Sequence, residues 1–140
     1  MSNTNSPIDM MKDHIRRYLA SNGEDGHIMY GSPCLILSTT GKKSGEIRQV
    51  ALIYGKHGNN YVVMGSKGGS DIPPAWYQNL CANPLAHIQV KAEKMAVKMR
   101  VAEGKERQTL WGIMTAIFPD YIEYQKKTTR ELPVVVLEPA

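Results

Sequence analysis

The side chains best suited by type and spacing to do chemistry lie in three short stretches rich in glycine or led by proline. Gly41-Lys42-Lys43-Ser44-Gly45 sets two ammonium groups and a hydroxyl between two glycines. Tight glycine turns expose backbone N–H groups that can form a concavity for an anion. Arg48 lies just beyond. Ser66-Lys67-Gly68-Gly69 repeats the combination of small residues and one cation. Pro73-Pro74 opens a helical stretch whose first turn leaves N–H groups without intrahelical partners. Between Lys42 and Lys67 five cations face one acid, Glu46, and this segment carries the whole net charge of +4. Charge concentrated in this way points to a specific anionic partner; on charge alone, a solvated basic face is the competing reading.

Aromatic residues add a second signal. Trp76-Tyr77 opens one helical stretch, and Phe118, Tyr121 and Tyr124 surround Pro119. Core packing is the favoured reading for Trp76 and Trp111. Tyr121 and Tyr124 are three apart and share a helical face, where each hydroxyl needs a partner or water. Together these stretches suggest a ligand with several negative groups and a flat aromatic part. Other chemistries lack their motifs. There is no Gly-x-Gly-x-x-Gly after a strand, no Walker-type phosphate loop and no Gly-x-Ser-x-Gly elbow. His14, His27, His57 and His87 have no metal-ligand spacing, so no metal is expected. His87 reads as exposed on a strand, and Cys34 and Cys81 read as buried structural thiols.

These residues need a scaffold. At 140 residues with 42% hydrophobic and 21% charged content, the chain reads as one globular domain and not as a disordered or coiled-coil protein. No apolar run approaches a membrane span. Residues 1–7 read as a loose leader without a signal peptide, and two cysteines exclude a disulfide framework, so a cytoplasmic location is expected. Residues 1–21 form an N-terminal amphipathic helix with Ile8, Met11, Ile15, Tyr18 and Leu19 on its apolar side. Residues 22–140 form the domain proper, beginning with a loop at 22–33. Three strands follow in a meander: Cys34 to Thr40, Gln49 to Tyr54, and Tyr61 to Met64. A short helix runs from Ala75 to about Ala82. Two half-buried strands lie around Ala86 to Val90 and Val97 to Val101. Helices from about Lys105 to Ile117 and Asp120 to about Lys127 precede an apolar last strand, Val134 to Leu137. Six antiparallel strands with three or four helices predict an α+β domain built as a small closed or split β-barrel.

The run Leu37-Ser38-Thr39-Thr40-Gly41-Lys42-Lys43-Ser44-Gly45, then Arg48, resembles the hairpin of the deazaflavin-dependent nitroreductases, the F420-dependent quinone reductases of actinobacteria. The resemblance continues in order through Ser66-Lys67-Gly68-Gly69, Pro74 to Leu80, Ala82-Asn83-Pro84, Phe118 to Gln125 and Thr129 to Pro139. It implies a split barrel of the FMN-binding type that binds coenzyme F420, a deazaflavin with a phosphate and an oligoglutamate tail. It implies that Lys42, Lys43 and Ser44 hold the tail or phosphate. Arg48, Gln49, Val50, Ala51, Leu52 and Ile53 would line the ring, with Met64, Gly65, Ser66, Lys67, Ala75, Trp76, Tyr77, Gln78 and Asn79 completing the pocket. The implied reaction is hydride transfer from reduced F420 to a quinone-like or other hydrophobic acceptor, with catalytic roles for Tyr121, Tyr124 and Ser66. A phenol of ordinary pKa stays protonated at neutral pH and can donate a hydrogen bond to a developing oxyanion or deliver a proton. Phe118 stands where the best-studied activity has a tyrosine, Ile47 where a proline precedes the arginine, and Ala51 where a proline precedes the leucine.

Three rivals accompany this reading: an F420-binding protein with little turnover, an FMN enzyme on the same barrel, and a nucleic-acid-binding protein. The lysine-rich hairpin suits a polyglutamate tail that FMN lacks, and no row of exposed aromatics is evident for stacking bases, so no nucleic acid partner is expected. The basic amphipathic helix at residues 8–20 admits two readings, peripheral contact with anionic lipid or packing on the domain or a twin chain. A homodimer through the Val134–Leu137 edge or the helices is left open.

Overall fold

A computed structural model describes residues 7–140. The leader reading of residues 1–7 therefore lies, for residues 1–6, outside the described residues. Helix α1 (Pro7–Ser21) leads into a two-residue strand β1 (Ile28–Met29), then β2 (Ser32–Thr40), β3 (Ile47–Ile53), β4 (Gly55–His57) and β5 (Asn60–Met64). A single 3-10 turn at Lys67–Gly69 precedes α2 (Ala75–Ala82), β6 (Leu85–Val90), β7 (Glu93–Val101), α3 (Gly104–Ile117), α4 (Asp120–Lys126) and β8 (Val134–Pro139). The strands pair antiparallel in the order β1-β2-β6-β7-β8-β5-β4, with β3 attached to β2 alone. This is an α+β split barrel, with two short strands, β1 and β4, beyond the six expected.

The meander does not form. Gln49 to Tyr54 and Tyr61 to Met64 look like a hairpin, but β5 pairs with β4 and β8 and never with β3. The chain turns at Tyr54, whose N–H donates to Pro33 O at 3.2 Å. Gly55 then passes under α3 so closely that a Cβ would lie 2.8 Å from Met114 Sδ. The barrel consequently stays open between β3 and β5. The last strand is also not an edge. Val134 to Leu137 are all buried because β8 lies between β7 and β5 with apolar layers on both faces. One layer is the barrel interior, with Leu35, Val63, Val97 and Leu137; the other is the seat of α3 and α4, with Val62, Val136, Leu110 and Met114.

Helix α1 buries Ile15 and Tyr18 against Cys34, Ile36 and Ala51. Tyr18 is anchored by its hydroxyl, which accepts from Lys91 N–H at 2.7 Å and faces Cys34 O at 3.2 Å. Of the two readings of this helix, packing on its own domain is the one observed. Among the described residues no helix is long and apolar enough to cross a membrane. His87 is exposed as expected, whereas Gln89 on the same strand is buried and donates to Lys91 O at 2.8 Å. Cys34 is buried, but Cys81 is exposed because the last turn of α2 faces outward.

Candidate functional site

The open side of the barrel is a cleft of about 860 Å³. It brings together Lys42, Lys43, Ser44, Arg48, Gln49, Val50, Ala51, Leu52, Ile53, Met64, Ser66, Lys67, Ala75, Trp76, Gln78, Asn79, Tyr121 and Tyr124. Consecutive residues of β3 line it because β3 has only one strand partner, so its other backbone edge is free to meet a ligand. Gly65 and Tyr77 stand behind the wall. A Cβ at Gly65 would meet Pro133 Cγ at 2.6 Å, and Tyr77 packs edge-on to Trp76 with centroids 6.2 Å apart.

The basic end is built on the β2–β3 hairpin. Gly45 N–H donates to Gly41 O at 2.9 Å, and Gly41 N–H to Glu46 O at 2.7 Å. Buried Asn79 joins α2 to this hairpin: its Nδ2 donates to Thr39 Oγ1 at 3.1 Å and its Oδ1 accepts from Lys42 N–H at 3.0 Å. Lys42 Nζ rests on Gln78 Oε1 at 3.3 Å, and the Gln78 amide donates to Pro73 O at 3.0 Å. Arg48 pairs with Glu46 at 3.2 Å. Among the described residues no carboxylate lies within ion-pair distance of Lys42, Lys43 or Lys67. The cleft is left with positive charge that an anion would balance.

The loop after β5 is the second anion-friendly element. Ser66 is right-handed (φ −83°, ψ −43°), and Lys67 and Gly68 are left-handed (φ 45° and 62°). That succession of hands turns adjacent N–H groups to one side, forming a nest. Arg130 holds the loop from behind with three donors, Nε to Ser70 O at 2.7 Å, Nη1 to Gly65 O at 3.1 Å and Nη2 to Ser66 O at 2.9 Å. The C-terminal run containing Arg130 is visible in the sequence, but nothing local reveals that its guanidinium spans a loop 60 residues earlier. Gly69 (φ 85°) presses on α4, where an added Cβ would sit 2.5 Å from Tyr124 O.

Helix α4 begins at Pro119 and puts Tyr121 beside Phe118, with centroids 5.1 Å apart, and Tyr124 6.3 Å from Tyr121. Burial, then proximity to Tyr124, pushes the Tyr121 phenol well above its usual pKa; burial, then Asp120 and Tyr30, raises that of Tyr124. Among the described residues neither hydroxyl has a hydrogen-bond partner. Gly68, Pro74 and Phe118, from stretches the sequence marks, also line the cleft, whereas Met11, Met29, Tyr30 and Thr39 line it without having been expected as site residues. The Tyr30-Gly31 dipeptide is the one turn signal that pointed there, inside a segment that reads only as loop. Basic and aromatic regions lie at opposite ends of β2: the lysine hairpin follows Thr40 and the Tyr30 turn precedes Ser32. At about 3.3 Å per residue the nine-residue strand separates them by roughly 26 Å.

Unbalanced cations, a backbone nest and an apolar floor of Ala51, Met64 and Trp76 fit a long polyanion carrying a flat ring. The family model described as F420H(2)-dependent quinone reductase matches residues 10–139. An F420H(2)-dependent quinone reductase of Mycobacterium tuberculosis (strain ATCC 25618 / H37Rv) is 35% identical over 134 residues, 93% of this chain and 90% of that protein. A solved structure described as a domain-swapped dimer has 35% identity and a TM-score of 0.73, covering 95% of this chain and 100% of that one. The structure of an F420-H2 dependent reductase, FDR-A, has 37% identity and a TM-score of 0.71, covering 76% of this chain and 94% of that one. Reduced F420 is the hydride donor of such enzymes, and this chain belongs to the F420H(2)-dependent quinone reductase family.

Proposed function

We propose that this F420-dependent reductase takes a flat, apolar, quinone-like acceptor at the aromatic end of the cleft and holds the anionic tail of F420 at the basic end. The observation that carries this reading is the polarity of one continuous cleft, with Lys42, Lys43 and Arg48 at one end of β2 and Tyr30, Phe118, Tyr121 and Tyr124 toward the other. When bound, the deazaflavin supplies the hydride. The chain supplies charge, orientation and proton placement. Lys43 and the nest at Ser66–Gly68 suit carboxylate or phosphate oxygens, and the free edge of β3 with Ala51 and Trp76 suits the ring.

A quinone that accepts a hydride gains negative charge on an oxygen. A phenol with a raised pKa is a poor acid but a persistent hydrogen-bond donor. We therefore assign Tyr121 and Tyr124 to donate from Oη to that oxygen, the proton that completes the hydroquinone coming from solvent. Ser66, buried in the cleft wall and with no side-chain hydrogen bond among the described residues, would orient the ring or the acceptor. Helix α1 spends Ile15 and Tyr18 on the barrel, so a lipid contact would rest on exposed Ile8 and Met10. The domain-swapped neighbour supports a homodimer, which size-exclusion chromatography with light scattering would test.

Titration of a Trp111→Phe variant with F420 and, separately, with FMN tests the reading, because Trp76 then reports from the cleft wall. Micromolar quenching by F420 alone, together with F420H2-dependent reduction of menadione, is expected. Tighter binding of FMN would overturn the reading, and F420 binding without turnover of any quinone would reduce the protein to a carrier.

A further inference from the structure

One acid stands among the cations of the cleft. Lys42, Lys43, Arg48 and Lys67 line it, and Glu46 is the only carboxylate in the sequence between Lys42 and Lys67. Glu46 immediately precedes β3 and Arg48 is the second residue of that strand, so the two side chains project to the same side. Arg48 Nη2 lies 3.2 Å from Glu46 Oε2. Among the described residues Arg48 is the one cation of the cleft with a carboxylate at such a distance. Arg48 lines the cleft, whereas Glu46 stands just outside it. The backbone of Glu46 belongs to the turn: its N–H donates to Ser44 Oγ at 3.1 Å, and its C=O accepts from Gly41 N–H at 2.7 Å. Its side chain is exposed and makes no other ion pair among the described residues.

The pair opens at little cost. An exposed ion pair changes an equilibrium only a few-fold, and a carboxylate or phosphate in the cleft offers Arg48 the same kind of oxygen. Holding both at once would set two anions side by side. The tail of F420 is the same before and after hydride transfer. Its attraction is therefore uniform binding, which tightens the hold on spent cofactor as much as on fresh cofactor and slows their exchange. Resting on the reading that this tail lies at the basic end, we propose that Glu46 is a built-in competitor for Arg48. Its carboxylate and an anionic oxygen of F420 take the guanidinium in turn, so part of the attraction of Arg48 is offset while Lys42, Lys43 and Lys67 act in full. Glu46 is thus a positioning residue that acts through Arg48 and hastens the departure of oxidised F420.

The test uses the whole chain with Glu46→Gln, which keeps the backbone bonds of the turn and removes only the charge, alone and combined with Arg48→Gln. The unfolding temperature of Glu46→Gln should stay within 2 °C of the wild type. At 50 mM NaCl its Kd for F420, read by fluorescence titration, should fall about three- to fivefold, the scale of an exposed ion pair. Release of oxidised F420, followed by stopped-flow displacement, should slow about two- to threefold. At 1 M NaCl, where the screening length is about 3 Å, the gain should vanish. The same deazaflavin without phosphate and tail should bind Glu46→Gln and wild type within 1.5-fold of each other. In the Arg48→Gln background Glu46→Gln should gain less than twofold. An unchanged Kd or release rate, an equal gain for the tailless deazaflavin, or a full gain without Arg48 would each overturn the proposal. Wild-type protein that binds the tailless deazaflavin as tightly as F420 would instead overturn the placement of the tail on which it rests.

Discussion

Replacing Arg130 tests whether the cleft is held in shape from behind. The guanidinium makes three bonds to the carbonyls of Gly65, Ser66 and Ser70, and the side chain is only part-buried, so water recovers some of each loss. Taking about 1 kcal/mol net per bond, Arg130→Met should cost about 3 kcal/mol. In a chain of this size that corresponds to a fall of roughly 10 °C in Tm. If half of the loss is confined to the Gly65–Ser70 loop, the nest is ordered less often and F420 affinity should fall about tenfold. A lysine at 130 has one ammonium for three carbonyls, so it should recover about a third of the stability. Differential scanning calorimetry and F420 titration of the Met and Lys variants provide the assay. An Arg130→Met protein within 2 °C of the wild-type Tm and within twofold of its F420 affinity would refute the reasoning.

Three further outcomes follow from the same geometry. Gly69→Ala forces a positive φ on alanine and drives its Cβ to 2.5 Å from Tyr124 O, so it should destabilise by about 2–4 kcal/mol and slow quinone reduction more than Gly68→Ala, whose Cβ would meet open space; equal effects would exclude the clash. With native protein, a thiol reagent should label exposed Cys81 quickly and buried Cys34, its pKa pushed up to about 11 by burial, only on unfolding; two equally fast thiols in mass spectrometry would contradict the packing of α1. Glu106 is held below its usual pKa by its bonds from Arg100, so its stabilisation is present above about pH 4.5 and is lost as the pH falls through the lowered folded value. Urea unfolding of wild type and Arg100→Gln should therefore converge between pH 5 and pH 3, and a constant gap would show that the pair carries no linkage.

Much of the site was legible because its parts are local. The hairpin Gly41–Gly45, the Ser66–Gly69 turn and the Pro74 helix start each announce themselves through a few adjacent residues, and all three meet in the cleft. The errors were non-local. The short turn between the strands ending at Tyr54 and beginning at Tyr61 hid the crossing that sends β5 to β8, and the apolar Val134–Leu137 run declared burial without naming its neighbours. Cys81 looked buried because composition cannot tell which side of α2 faces the barrel.

By itself the sequence determined where the positive charge concentrates, the short turns and helix start that line the cleft, and the family to which the chain belongs, since these depend on residue types at short spacing. Only the tertiary structure decided that the barrel opens between β3 and β5, that Arg130 braces the loop of Ser66, and that the Tyr30 ring meets that of Phe118 at the cleft. Those arrangements depend on which distant segments exclude water together and pair their backbones, a choice made by the whole chain at once.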